Sequence, residues 1–224
     1  MTQNTFLAAV MFDLDGTLLD TASDFTAALN RLRAEHQLPP LPEERIRQSV
    51  SNGAKALVEL GFHISEEDEA YEPLRKRLLD LYIQDIATHT RLFPGMKQLL
   101  TTLESRGIPW GLATNKPALY TEELLRHLPL EPALVVCPDH VTRRKPDPES
   151  LLLAASHFGC HPQQIAYAGD HQRDITCGRL AGTLTIACSF GYIESGDSAE
   201  RWGADYVVDK GEEIWPLLEK HYNL

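Results

Sequence analysis

Six short apolar runs, at residues 8–12, 109–113, 133–137, 165–168, 184–188 and 205–208, punctuate a chain of 224 residues. Such runs, bounded by turn residues, read as strands buried on both faces. Between the later ones lie segments of helical character. Pro94 and Gly95 introduce an amphipathic stretch over 96–106, and Gly107 ends it. Asp147 and Pro148 offer an N-cap and N1 pair for a helix over 149–158, closed by Gly159. A further helix opens near Asp170 and runs to Ala181. This alternation predicts an α/β fold, a Rossmann-like parallel sheet with helices on both faces.

One connection breaks the rhythm. From Asp20 to Phe93 no run reads as a strand, and helices are expected over 21–36, 43–50, 54–60 and 66–88. An ordinary parallel crossover needs one helix. The spacing therefore predicts a core made of residues 1–19 and 93–224, with residues 20–92 inserted as a small helical unit. Pro39, Pro40 and Pro42 mark a turn inside that unit.

Open α/β sheets bind ligands beyond the carboxyl ends of their strands. After the first run come Asp13 and Asp15. Thr114, Asn115 and Lys116 follow the second, and Lys145 follows the third through a loop. Gly169, Asp170, His171 and Asp174 follow the fourth. Several carboxylates cannot share a small volume unless they are protonated or neutralised, and one lysine is too little for them. A hard cation with oxygen ligands answers the excess, and Mg²⁺ is ordinarily held by one or two carboxylates together with a substrate phosphate. Lys145 as a point charge, the Thr114 hydroxyl and the turn N–H groups suit that phosphate. In isolation Asp13 and Asp15 could be turn residues before Gly16. The three matching strand ends argue against that.

Composition narrows the partners. A formal charge of -11 disfavours nucleic acid. The first apolar run stops at Asp13 without a basic stretch before it, which predicts neither a signal peptide nor a membrane span. The four cysteines show no C-x-x-C spacing, fitting small core residues in a reducing cytoplasm. Cys137 and Arg143 have the C-x5-R spacing of thiol phosphatases. Pro138, which lacks an N–H, and the anionic Asp139 spoil that cradle.

DLDGT at 13–17, TNKP at 114–117, KPDP at 145–148, and GD at 169–170 with Asp174 four places on, together resemble the haloacid dehalogenase superfamily of phosphatases. The resemblance covers essentially the whole chain, and the insertion lies where that superfamily carries a helical C1-type cap. It implies that Asp13 is a nucleophile forming an aspartyl-phosphate. Asp15 would protonate the leaving alcohol and later deprotonate water. Thr114, the N–H of Asn115 and Lys145 would hold the phosphoryl oxygens, with Lys116 at the substrate. Asp13, the Asp15 carbonyl and Asp170 would bind Mg²⁺, with Asp174 a further ligand or supporting partner. His171 departs from the family pattern, which has Ser, Thr or Asp there. It reads either as a half-exposed histidine at a helix start or as a group touching phosphate.

The motifs handle only the phosphoryl group, so substrate choice falls to the insertion. SVSNGAKAL, residues 49–57, resembles the specificity segment of phosphoglycolate phosphatase-type enzymes. It makes Ser51, Asn52, Gly53 and Lys55 candidates to touch substrate; the alternative is a helix start capped by Ser51. VCPDHVTRRKPDPE, GYIESGD and WGADYVVD resemble more the branch that acts on N-acetylmuramic acid 6-phosphate in cell-wall recycling. The resemblance thus implies a small phosphomonoester as partner, that sugar phosphate ahead of 2-phosphoglycolate, and a monomer or homodimer. A sugar-phosphate mutase of the same superfamily and a non-enzymatic phospho-accepting module are the competing readings.

Overall fold

The computed structural model describes residues 6–224. All six apolar runs are strands in it. The chain enters through β1 (Ala9–Phe12) and β2 (Leu19–Asp20), then makes helices α1 (Ala22–Glu35), α2 (Glu43–Arg47), α3 (Gly53–Phe62) and α4 (Tyr71–Gln84). It returns through β3 (Arg91–Leu92), antiparallel to β2. There follow α5 (Met96–Ser105), β4 (Trp110–Ala113), α6 (Ala118–Arg126), β5 (Leu134–Val136) and α7 (Glu149–His157). The last elements are β6 (Ile165–Gly169), α8 (Gln172–Ala181), β7 (Leu184–Cys188), β8 (Tyr206–Val208) and α9 (Ile214–Tyr222).

The sheet order is β5-β4-β1-β6-β7-β8, every pair parallel. From β1 the chain builds outward to β5 on one side, then crosses back and builds outward to β8 on the other. The reversal puts a crevice at the carboxyl end of β1, where open α/β sheets take ligands. Alternate residues of β1 face opposite layers. Val10 and Phe12 join a core with α5 and α9, while Ala9 and Met11 join a second core with α7. The sheet is therefore covered on both faces, which is why its strands lack polar alternation.

The helical insertion shares the larger core. Leu14 and Leu18, just after β1, are fully buried in the same cluster as Phe25, Leu29, Leu57, Leu78 and Tyr82. Asp24 ties its start to its end, accepting hydrogen bonds from the His89 and Thr90 N–H groups and the Thr90 hydroxyl at 2.8, 3.1 and 2.6 Å. No helix among the described residues is long and apolar enough to cross a membrane.

Several elements differ from the sequence expectation. The last insertion helix starts at Tyr71 rather than 66 and ends at Gln84. The helix expected over 43–50 stops at Arg47, and a short 3₁₀ turn, Val50–Asn52, precedes α3. Helix α7 begins at Glu149, with Pro148 rather than Asp147 at the N-cap position. The Asp147 carboxylate instead accepts the Glu149 N–H at 3.1 Å. Helices α6 and α9 and the β2–β3 ribbon were not foreseen. In α6 only Thr121 and Leu124 are buried, too few for a periodic signal. In α9 Pro216 suggests a break, but it lies in the first turn, where no N–H is needed. Strands of two residues cannot display a period of two.

Candidate active site

Asp13 is the first residue beyond β1. Its N–H still donates to the Ala168 carbonyl at 2.9 Å, so the sheet ladder fixes its backbone. The Leu14 N–H donates back to its carboxylate at 2.7 Å. The chain then turns at Gly16, whose φ of +86° favours glycine. A Cβ there would also lie 2.0 Å from Asp170 Oδ2. The turn is thus shaped to let a second acidic strand end approach.

Asp13 and Asp15 line one cavity but have different partners. Lys145 Nζ lies 2.9 Å from Asp13 and 2.6 Å from Asp174, and it donates to the Ala113 carbonyl and the Tyr167 hydroxyl, both at 2.8 Å. Lys116 Nζ lies 3.1 Å from Asp15 and donates to the Tyr82 hydroxyl at 2.9 Å. The Thr21 hydroxyl donates to Asp15 at 2.6 Å. Each carboxylate therefore has its own lysine. Lys116, expected at the substrate, lines the cavity; it is buried against Asp15 and sits 4.7 Å from the ring centres of both Phe25 and Tyr82. Those rings belong to α1 and α4, so the side chains framing Asp15 come largely from the insertion.

Asp13, Asp170 and Asp174 bring ligand atoms within 4.8 Å of one another. Asp170 accepts from the Thr17 hydroxyl at 3.2 Å, the Ser51 hydroxyl at 3.2 Å and the Tyr192 N–H at 2.8 Å. Burial, then the charges of Asp13 and Asp174, push its pKa up to about 8. Burial pushes Asp13 up to about 6, against the opposing pull of Lys145. For Lys145 burial works downward, but Asp13 and Asp174 outweigh it and hold the ammonium well above its usual range. Three carboxylates facing one buried cation leave formal negative charge at the site. All-oxygen donors with an unmet charge fit a hard divalent cation.

Thr114 is buried at the end of β4, and its hydroxyl accepts the Lys116 N–H at 3.2 Å. The Asn115 side-chain amide donates to the Lys145 carbonyl at 3.1 Å. It thus braces the lysine loop, while its N–H was the group expected at phosphate. Both residues line the cavity.

The insertion reaches the acidic cluster through Ser51. Its hydroxyl bonds to Asp170, and it sits in the 3₁₀ turn without capping α3. Arg173 of α8 donates to the Ser51 carbonyl at 2.5 Å and to the Asn52 side chain. Asn52 in turn donates to Glu194. Gly53 lines the cavity, and an added Cβ would meet nothing within 4 Å. Lys55 also lines it and is paired with Glu66. His171 is the N-cap of α8. Its Nδ1 accepts the Arg173 N–H at 3.1 Å, and Nε2 lies 2.9 Å from the Arg173 guanidinium. Burial and that guanidinium lower its pKa to about 4. With Nδ1 accepting the Arg173 N–H, a neutral ring carries its proton on Nε2, so the approach of the guanidinium to Nε2 is packing and not a second hydrogen bond.

Sequence reasoning did not single out Thr21, Tyr82, Tyr167, Arg173 or Tyr192. Arg173 carried a signal, lying between Asp170 and Asp174 in the first turn of α8. Tyr82 lies mid-way along an expected helix with nothing to mark it, and Tyr192 falls in the GYIESGD segment, which stands out for its resemblance and not for this residue. Cys137 is buried, and burial raises its thiol pKa, which removes the thiolate a thiol phosphatase needs. A cavity of about 1190 Å³ lies between the insertion and the carboxyl ends of β1 and β4, lined by Asp13, Asp15, Thr114 and Lys145 together with Val50–Lys55 and residues of α4.

Residues 10–188 match the family described as haloacid dehalogenase-like hydrolase. The N-acetylmuramic acid 6-phosphate phosphatase of Pseudomonas aeruginosa is 46% identical over 216 residues, covering 96% of this chain and 96% of that protein. A phosphoglycolate phosphatase of Xanthomonas campestris is 36% identical over 213 residues, covering 94% and 96%. Among solved structures, a predicted phosphoglycolate phosphatase from Haemophilus somnus superposes with a TM-score of 0.84 at 21% identity, over 97% of this chain and 99% of that one.

Proposed function

The chain belongs to the haloacid dehalogenase-like hydrolases and is a phosphomonoesterase; from that premise we propose that it hydrolyses N-acetylmuramic acid 6-phosphate in the cytoplasm, through a phosphoryl group carried on Asp13 and with Mg²⁺ as cofactor. The observation that carries the chemistry is the placing of Asp13 and Asp15 on one strand end, each against its own lysine, facing one cavity.

In this reading an Asp13 oxygen attacks phosphorus and the ester P–O bond breaks. The departing alkoxide takes a proton from Asp15. A water then gives its proton to Asp15 and attacks the phosphorus on Asp13. The P–O bond to Asp13 breaks, leaving inorganic phosphate and the original carboxylate. Lys145 and Thr114 hold phosphoryl oxygens, while Lys116 and Thr21 fix the Asp15 carboxyl beside the leaving oxygen. The Asp13, Asp170 and Asp174 carboxylates would hold Mg²⁺, which supplies charge neutralisation at the phosphoryl group. Residues 20–92 act as the cap that selects the alcohol.

Two observations favour the amino-sugar phosphate over 2-phosphoglycolate. The relative acting on the former has 46% identity against 36% for the latter. The cavity of about 1190 Å³ also matches or exceeds the pockets of roughly 300–1,000 Å³ that take drug-sized molecules, far more space than a two-carbon acid needs. The test is phosphate release from both compounds, hexose phosphates and nucleotides, with Mg²⁺ and with chelator. The expected outcome is the highest kcat/KM for N-acetylmuramic acid 6-phosphate, abolished by chelation. Faster turnover of 2-phosphoglycolate would reverse the substrate assignment; full activity in chelator would remove the metal.

A further inference from the structure

The cations around the cavity divide into those that are occupied and those that are not. Lys145 is held by Asp13 and Asp174, and Lys116 by Asp15. Lys55 pairs with Glu66 and Glu59, and Arg75 takes both oxygens of Glu72. Arg173 is committed to Ser51 and Asn52. Two remain. Arg144, from the core loop, and Lys76, from α4 of the insertion, both line the cavity and are exposed. Among the described residues neither has a carboxylate within 4.0 Å. Glu72 feels the charge of Lys76, but its two oxygens are already taken by Arg75.

The backbone under Arg144 is fixed. The Thr142 and Arg143 N–H groups donate to the Glu149 carboxylate at 2.8 and 2.9 Å, and the Asp147 N–H donates to the Arg144 carbonyl at 3.1 Å. Its neighbour Arg143 pairs with Asp147 at 3.1 Å and does not line the cavity. Arg144 thus offers an unpaired planar fork from a braced loop, in a chain whose net charge is -11. Such a fork matches a carboxylate bidentately.

We propose that Arg144, assisted by Lys76 of the same cavity lining, is a specificity-determining anion site that takes a substrate carboxylate while the phosphoryl group sits at Asp13. This rests on the phosphatase reading above and deepens it. The carboxylate is what a muramic acid has and the corresponding glucosamine lacks. Arg144 comes from the core and Lys76 from the insertion, so the site draws on both.

The test is the ratio of kcat/KM for N-acetylmuramic acid 6-phosphate over N-acetylglucosamine 6-phosphate. Wild-type protein favours the acid. Arg144→Gln lowers the ratio roughly 10- to 100-fold, the worth of a hydrogen-bonded charge. Lys76→Gln lowers it about 2- to 5-fold, as expected of an exposed ion pair. Arg143→Gln leaves it in place. A ratio unmoved by both Arg144→Gln and Lys76→Gln, or moved equally by Arg143→Gln, overturns the proposal. Wild-type protein that hydrolyses neither sugar removes the substrate reading instead. The ratio for 2-phosphoglycolate over ethyl phosphate then decides the carboxylate site by the same criteria.

Discussion

Asp13 and Asp15 are two positions apart, and their side chains meet different electrostatic surroundings. Asp13 faces Asp170 and Asp174 across Lys145, while Asp15 is framed by Lys116, Thr21 and a ring pair from the insertion. The division suits the two roles proposed for them, since a nucleophile needs cations near phosphorus and a proton carrier must be kept out of that cluster. Asp13→Asn keeps the hydrogen-bonding shape and removes the nucleophile. Phosphate release is expected to fall more than about 10³-fold, with a melting temperature near that of wild type because Lys145 keeps Asp174. An unfolded variant, or one with near wild-type turnover, contradicts the assignment. Asp15→Asn leaves Asp13 able to accept phosphate but removes proton transfer, for a loss of about 10²–10⁴ in kcat. Burst kinetics with a good leaving group separate the two. Only Asp15→Asn should form the phosphorylated protein.

The elements that set the site differ in how far the sequence reveals them. Strand β1, its DLDGT turn and the start of α8 are visible, because each combines a fully apolar run with acidic residues at its end. The sheet was legible for the same reason: strands covered on both faces are continuous apolar runs. What stayed hidden depends on pairings distant in sequence. Tyr82 reaches Lys116 across 34 positions, Ser51 reaches Asp170 across 119, and Arg173 reaches Asn52 across 121. No local pattern encodes these. The second lysine of the site was visible as a residue but not in its role, because only the fold brings Lys116 to Asp15. Arg173 joins α8 to the Val50–Asn52 turn and so couples insertion to core. Arg173→Gln is expected to loosen that closure, raising KM roughly 10-fold with a smaller change in kcat. Faster amide exchange in α3 would accompany it. A change in kcat alone would mean that Arg173 acts on the chemistry instead. Gly16→Ala perturbs the same region from the core side. Its Cβ would displace Asp170, and binding of Mg²⁺ followed by calorimetry should weaken more than folding does.

Across the whole molecule, burying an acidic cluster in a chain of net charge -11 makes stability depend on pH and, on the proposed reading, on the Mg²⁺ it would hold. Asp170 has its pKa raised from 3.8 to about 8 by burial and by Asp13 and Asp174, and burial raises Asp13 to about 6. In the metal-free fold these groups bind protons more tightly than in the unfolded chain. Between pH 4 and pH 8, unfolding therefore releases protons. Stability contributed by these groups is full below the unfolded pKa and is lost as pH rises, through about 6 for Asp13 and about 8 for Asp170. A divalent cation binds the ionised carboxylates and must displace their protons, so its stabilisation runs the opposite way. At 100-fold excess over its Kd, a ligand adds about 2.7 kcal/mol, or roughly 5–10 °C in Tm for a domain of this size. The Mg²⁺-induced rise in Tm should approach that at pH 8 and shrink toward zero at pH 5, while the metal-free protein melts lower at pH 8 than at pH 6. Replacing Asp170 with Asn removes the group that carries most of the effect. In Asp170→Asn the metal-free Tm should flatten between pH 6 and 8 and the Mg²⁺ increment should fall at every pH. A Mg²⁺ increment that is independent of pH, or that survives this substitution, would place the cation elsewhere on the acidic surface.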